Sequence, residues 1–300
     1  MPDTAMRPHS GGAHAHTVRE FGEKLAGIIG GDASRRDARE LLSLVWDRTP
    51  AWLAAHADDG VPGDIREASS AAADRVAAGA PLAYATGRAA FRNLVLRVDE
   101  RVLIPRPETE IVVDVALSLC TTGVAVDVGT GSGAIALALA TEGAFDRVTG
   151  TDVSEDALAV ARANVEATAG RCPVELRCGS MLRPVLGESV ALIVANTPYI
   201  AAPEMQQLPS AVRDWEPPVA LVSGTDGLAH TRELVKQSAG VLAEDGWLVI
   251  EVDSRRAEET AAVVREAEGF AAVRIFPDLA GRPRVLAAQR RAAPTPETIA

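Results

Sequence analysis

The stretch AVDVGTGSGAIALALA, residues 125–140, decides the fold. An apolar run ends at Asp127, and Gly129, Gly131 and Gly133 follow at alternate positions before a run of Ala, Ile and Leu. Glycines there let a chain turn sharply from strand into helix and let backbone N–H groups approach a ligand. Alone, such a triplet is only a tight turn. The G-x-G-x-G spacing differs from the G-x-G-x-x-G of dinucleotide folds, and the loop lacks the Lys of a phosphate loop. It suits a cofactor with a charged amino-acid end, of which S-adenosylmethionine is one.

Outward from this loop the chain alternates strand and helix. Strands are predicted at VAVDVG (124–129), RVTGTDV (147–153), VELRCG (174–179), ALIVAN (191–196), GWLVIEV (246–252), and in a final pair near AVRIF and RVLAAQ. The alternation predicts an α/β fold, a doubly wound, mostly parallel seven-stranded sheet with helices on both faces. Ligands then bind beyond the carboxyl ends of the strands. Asp152 ends the second strand about 20 residues past the glycines, where a carboxylate holds ribose hydroxyls. Asp-Val-Ser is also a helix N-cap, and Ser154 can cap while Asp152 binds. Asp127, Gly129, Thr130, Gly131, Gly133, Asp152, Val153, Ser180 and Asn196 are the expected cofactor contacts.

The fourth strand runs into VANTPYI, residues 194–200, which places Asn196 at its carboxyl end. Taken singly, Asn196 is a strand-ending turn residue. Pro198, however, removes a backbone donor and biases Thr197 toward extended geometry. The Thr197 carbonyl then joins the Asn196 side chain as a second acceptor, with Tyr199 as a flat wall. Two acceptors and a ring suit a planar NH2 group. Glu251 and Asp253 lie two apart on one strand face, as a structural pair or as contacts to a cationic planar group.

The N-terminal part reads differently. Val18, Phe21, Leu25 and Ile28 recur at helical spacing before Gly30 and Gly31, and Ala38, Leu41, Leu42, Val45 and Trp46 repeat the pattern. Thr49-Pro50 reads as a break, and a third helix is expected over Asp64 to Ala78. NLVLRVDERVLIP alternates, with Asp99-Glu100 read as a hairpin turn. The expected organisation is a tail over 1–16, a helical domain over 17–80, a β-hairpin linker over 81–104, the α/β domain over 105–290, and a tail over 291–300.

Composition narrows the function. Of 300 residues 47% are hydrophobic, and the formal net charge is −11. That charge disfavours broad contact with phosphate backbones. No apolar run reaches the roughly 20 residues of a membrane helix, and the N-terminus lacks the apolar core of a secretory signal, so a cytoplasmic enzyme is expected. Cys120, Cys172 and Cys178 are expected as free, mostly buried thiols. His9, His14 and His16 fall in the tail, and His56 and His230 are expected as surface or packing residues.

Asn-x-Pro-Tyr after a G-x-G-x-G domain resembles the amino-methyltransferases, and in particular the protein-glutamine methyltransferases that modify peptide-chain release factors. The similarity covers about residues 17–290. It includes PLAYATGRAAF (81–91), LIPRPETE (103–110), EPPVALVSGTDGL (216–228) and DLAGRPRV (278–285). The resemblance implies a helical substrate-docking domain, a hairpin linker and a class I methyltransferase domain that uses S-adenosylmethionine. It assigns Gly129, Gly131, Gly133 and Asp152 to the cofactor, and Asn196, Pro198 and Tyr199 to catalysis, which the Thr197 carbonyl joins as the second acceptor read above. Pro105 to Glu110 match the segment that closes over the site, so Arg106 and Glu108 are expected on the substrate side with Asn196, Tyr199, Glu251 and Asp253. The sequence departs from the family at Thr197, where a second Pro is usual, at GSML (179–182), and at Val252 and Asp253.

The implied chemistry is transfer of a methyl group to a planar side-chain nitrogen, by positioning and without a metal. The implied partner is a release factor. The departures at Thr197 and Asp253 motivate a second reading, a free amino acid or small metabolite with an amide or guanidino nitrogen. A nucleic-acid adenine shares the Asn-x-Pro-Tyr logic, but the acidic balance argues against it.

Overall fold

The structure, a computed structural model, describes residues 16–291. The expected tails up to Ala15 and from Ala292 onward, His9 and His14 included, lie outside the described residues. The chain divides into two units between Thr86 and Gly87.

The first unit is helical: α1 (Val18–Ile29), α2 (Ser34–Trp46), α3 (Pro50–Ala55), α4 (Gly63–Ala77) and α5 (Leu82–Thr86). A reciprocal capping box of Thr17 and Glu20 starts α1. Val18, Phe21 and Leu25 bury against Ala38, Leu41, Leu42, Leu53 and Ala73, with Ile28, Val45 and Trp46 packed around them. His16 is part of this unit, since its carbonyl accepts from Val61. Thr49-Pro50 starts a helix rather than only ending one. The Thr49 hydroxyl accepts from the Trp52 N–H at 3.1 Å, and Pro50 occupies the first turn, where its missing donor costs nothing. Residues 82–86, expected in the linker, are α5, which buries Tyr84. An apolar run this short has no readable period.

The second unit opens with an antiparallel hairpin, β1 (Arg88–Phe91) and β2 (Leu94–Arg97). Its turn is Arg92-Asn93, not Asp99-Glu100. Arg92 sits at φ +53, a left-handed conformation uncommon for Arg. Its N–H donates to Glu110, and its guanidinium grips both oxygens of Glu142 and one of Asp114. Asp99 instead anchors Arg101 through its backbone and side chain.

The remaining elements are α6 (Pro107–Leu119), β3 (Val124–Val128), α7 (Ala134–Glu142), β4 (Arg147–Asp152), α8 (Glu155–Ala167), β5 (Val174–Cys178), β6 (Val190–Ala195), α9 (Ser210–Arg213), α10 (Ala229–Ser238), β7 (Leu242–Glu251), α11 (Ala257–Glu266), β8 (Phe270–Pro277) and β9 (Pro283–Arg290). The seven-stranded sheet has the order β5-β4-β3-β6-β7-β9-β8. All pairs are parallel except β7–β9 and β8–β9. Successive residues face opposite cores. Ala125, Leu192, Val194 and Val249 pack with α6 and α7, while Val126, Ile193, Ala195, Leu248 and Ile250 pack with α10 and α11. Every residue from Ala134 to Ala140 is buried, as an all-apolar helix requires. Strand order reverses between β3 and β6, and a crevice opens there.

The three thiols are free, but Cys178 is exposed and the other two are half-buried. Cys178 ends β5, an edge strand with one side uncovered, so the expected burial does not hold there.

Candidate active site

A cleft of about 320 Å³ lies over the carboxyl ends of β3, β4, β5 and β6. One half is formed by the glycine loop and its neighbours. Gly129, Thr130, Gly131 and Ser132 carry the chain from β3 toward α7. At Gly131 φ is +52, and an added Cβ would meet nothing nearer than 4.0 Å, so it would project into open space. Asp152 ends β4 and holds this loop. One carboxylate oxygen accepts from the Gly131 N–H and the other from the Ser154 N–H, each at 2.9 Å. Burial pushes the Asp152 carboxyl up, against these N–H donors. Ser154 also caps α8 by accepting from Ala157. Val153 lines the cleft while 59% exposed, and Gly179, Ser180 and Met181 continue the wall.

Asp127 does not line the cleft. It lies beneath the loop, fully buried, and one oxygen accepts from the Thr130 hydroxyl at 2.6 Å and the Ala136 N–H at 3.0 Å. Burial raises its pKa to about 7. Gly133 also lies behind the lining, packed on Ala161. Both support the loop from behind the cleft wall.

The other half is built from side chains. Asn196, Thr197 and Pro198 follow β6 and line both this cleft and a smaller one of about 160 Å³, whose walls include Arg106, Tyr199 and Leu208. The Asn196 Nδ2 donates to the Thr109 hydroxyl at 3.1 Å. Thr109 donates to Glu251 Oε2 at 2.6 Å, and the Tyr199 hydroxyl donates to Glu251 Oε1 at 3.3 Å. Glu251 is 3% exposed. Burial pushes its carboxyl up, opposed by Thr109, the Arg284 guanidinium and Tyr199. Burial, with Glu251 nearby, also raises the Tyr199 phenol. Gly227 approaches this loop so closely that an added Cβ would stand 2.5 Å from the Tyr199 carbonyl oxygen.

Some expected substrate contacts are otherwise engaged. Arg106 pairs with the buried Glu216. Asp253 is held by Arg255 and Arg256, which also bind Glu204. Glu108, Glu251 and Asp253 line neither cleft. The sequence singled out neither Thr109 nor Gly227, although both fall within quoted stretches. His230, expected as a surface or packing residue, lines the larger cleft beside Pro198. Burial holds its imidazole below the usual range, partly offset by the Pro198 carbonyl.

A PrmC N-terminal domain model matches residues 19–87, and a methyltransferase domain model matches residues 125–216. A release factor glutamine methyltransferase from Cereibacter sphaeroides is 38% identical over 279 residues, 93% of this chain and 99% of its own. The chain belongs to the release factor glutamine methyltransferase family. A second member, from Moorella thermoacetica, is 36% identical and covers 92% of this chain and 99% of its own. The hMettl16 catalytic domain, solved with an RNA hairpin, shares the fold: TM-score 0.53, 16% identity, 75% of this chain and 82% of its own.

As a member of the release factor glutamine methyltransferase family, the chain is a methyltransferase that uses S-adenosylmethionine. The cleft fits that molecule. The open space at Gly131 leaves room against the loop, Asp152 offers carboxylate oxygens beside it, and the exposed Val153 offers an apolar platform.

Proposed function

We propose that the chain methylates the side-chain amide nitrogen of a glutamine in a peptide-chain release factor. The observation that carries this reading is the bonding of Asn196. Its Nδ2 is committed to Thr109, which leaves Oδ1 as an acceptor for a substrate N–H. When bound, S-adenosylmethionine supplies an electrophilic methyl group. An amide nitrogen is a weak nucleophile because its lone pair is delocalised into the carbonyl. Asn196 Oδ1 and the Thr197 carbonyl accept its two N–H bonds and aim it. Orientation of this kind is worth about 7–11 kcal/mol when the geometry is right. The same acceptors favour the positive charge that develops on nitrogen. Tyr199, with its hydroxyl tied to Glu251, walls the planar group. Gly131, Thr130, Asp152, Val153 and Ser180 hold the cofactor.

The family supports a protein substrate rather than a free amino acid or metabolite. Asp253, which suggested a guanidino substrate, is already neutralised by two arginines. The helical unit is the candidate docking module for the release factor. Among the described residues no helix is long and apolar enough to cross a membrane, and we take the enzyme to act in the cytoplasm, where translation ends.

The test is labelled-methyl transfer offered side by side to a release factor, free glutamine and free arginine. Label should enter the release factor alone, as N-methylglutamine. Label in free arginine or glutamine at a comparable rate would overturn the assignment.

A further inference from the structure

The side chain of Asn196 presents one difficulty for this mechanism. Amide oxygen and amide nitrogen are nearly the same size, so packing alone does not choose which faces the substrate. Only a hydrogen-bond partner of fixed polarity chooses. Thr109, in the first turn of α6, is 4% exposed, and its hydroxyl has a single proton. That proton is committed to Glu251 Oε2 at 2.6 Å. When Glu251 is ionised its carboxylate is acceptor-only, and its other oxygen takes the Tyr199 hydroxyl. Toward Asn196, therefore, the Thr109 oxygen only accepts, and Nδ2 is the atom it takes. A flipped amide would set two acceptors against each other and turn an N–H donor toward the donors of the substrate.

We propose that Thr109, polarised by Glu251, is the positioning residue that fixes the Asn196 amide with its oxygen toward the substrate nitrogen. This rests on the reading of Asn196 as the substrate acceptor. Thr109 lines the larger cleft, but in this scheme it touches neither reacting atom. It acts through Asn196, and Glu251 acts through Thr109.

The experiment compares Thr109→Val, which keeps the shape and loses the hydroxyl, with Thr109→Ser, which keeps the hydroxyl. Methyl transfer to a release factor is read with cofactor Kd by calorimetry and the melting midpoint. Thr109→Val should lower kcat about tenfold or more, on the scale of one lost orienting hydrogen bond. Cofactor Kd should stay within about twofold of wild type, and Thr109→Ser should restore most of the rate. The double variant Asn196→Ala/Thr109→Val should be no slower than Asn196→Ala alone, because both changes act on one group. Should Val lower the melting midpoint, Thr109→Ala is read by the same criteria. A wild-type rate in Thr109→Val, no rescue by Ser, or independent effects in the double variant would overturn the inference. If Asn196→Ala turns over normally, the underlying reading fails instead. If Asn196→Ala is slow while Thr109→Val is not, only the role of Thr109 fails.

Discussion

A buried carboxylate stands under each half of the cleft, and the two are wired differently. Asp127 braces the half proposed to bind cofactor, through partners three and nine residues away, Thr130 and Ala136. Glu251 braces the half proposed to be catalytic, through Thr109 and Tyr199, 142 and 52 residues away. Binding a common cofactor needs a local loop of fixed shape. Aiming one nitrogen needs groups from α6, β6 and β7 to converge, and only the finished sheet brings them together.

Changes in the two halves should therefore separate cleanly. The largest effect is expected at Gly131→Asp. A carboxylate there enters the cleft beside Asp152, and like charges in such a site cost several kcal/mol. Cofactor affinity should fall roughly a thousandfold by calorimetry, and near-normal affinity would break the distinction. Asn196→Ala should do the reverse: kcat falls by about 10²-fold while cofactor Kd barely moves.

A smaller effect separates the halves by pH. The network in the catalytic half needs Glu251 ionised, and burial has raised its pKa, with Glu108 adding to the rise and Arg284, Thr109 and Tyr199 opposing it. Activity should thus be lost as pH falls through a value above the usual carboxylate range. In Glu251→Gln that acid limb should disappear from the kcat profile. An unchanged limb in the variant would assign it to another group.

The last effect concerns stability rather than binding or rate. The Asp127 pKa rises from 3.8 to about 7 on folding, chiefly by burial. Its contribution is fully present below the unfolded value and is lost as pH rises through about 7. Denaturant midpoints of the wild type, relative to Asp127→Asn, should therefore decline between those limits. Parallel curves for the two proteins would show that Asp127 is not the group responsible.

The same contrast explains what could be read from the sequence. The glycine loop, Asp152 and the Ser154 cap lie within about thirty residues, and local rules for turns and caps describe them. VANTPYI was legible because Pro198 constrains its neighbour whatever the surroundings. Thr109 gave no signal, because an isolated Thr in a helix's first turn is unremarkable until Glu251 is placed beside it. Asp253 shared a strand face with Glu251 on paper, but Arg255 and Arg256 claimed it. The hairpin turn was misplaced because Arg92 lacks turn propensity, and three carboxylates hold it there nonetheless.

The reach of the Thr109–Glu251 contact also sets an order in time. During synthesis, the glycine loop, Asp152, Val153 and Ser180 have all been made when the chain is about 180 residues long. Asn196 and Tyr199 follow soon after, yet Glu251 is still some fifty residues from being added. A nascent chain stopped in that interval has every proposed cofactor contact and Asn196, but it lacks the carboxylate that accepts the Thr109 proton.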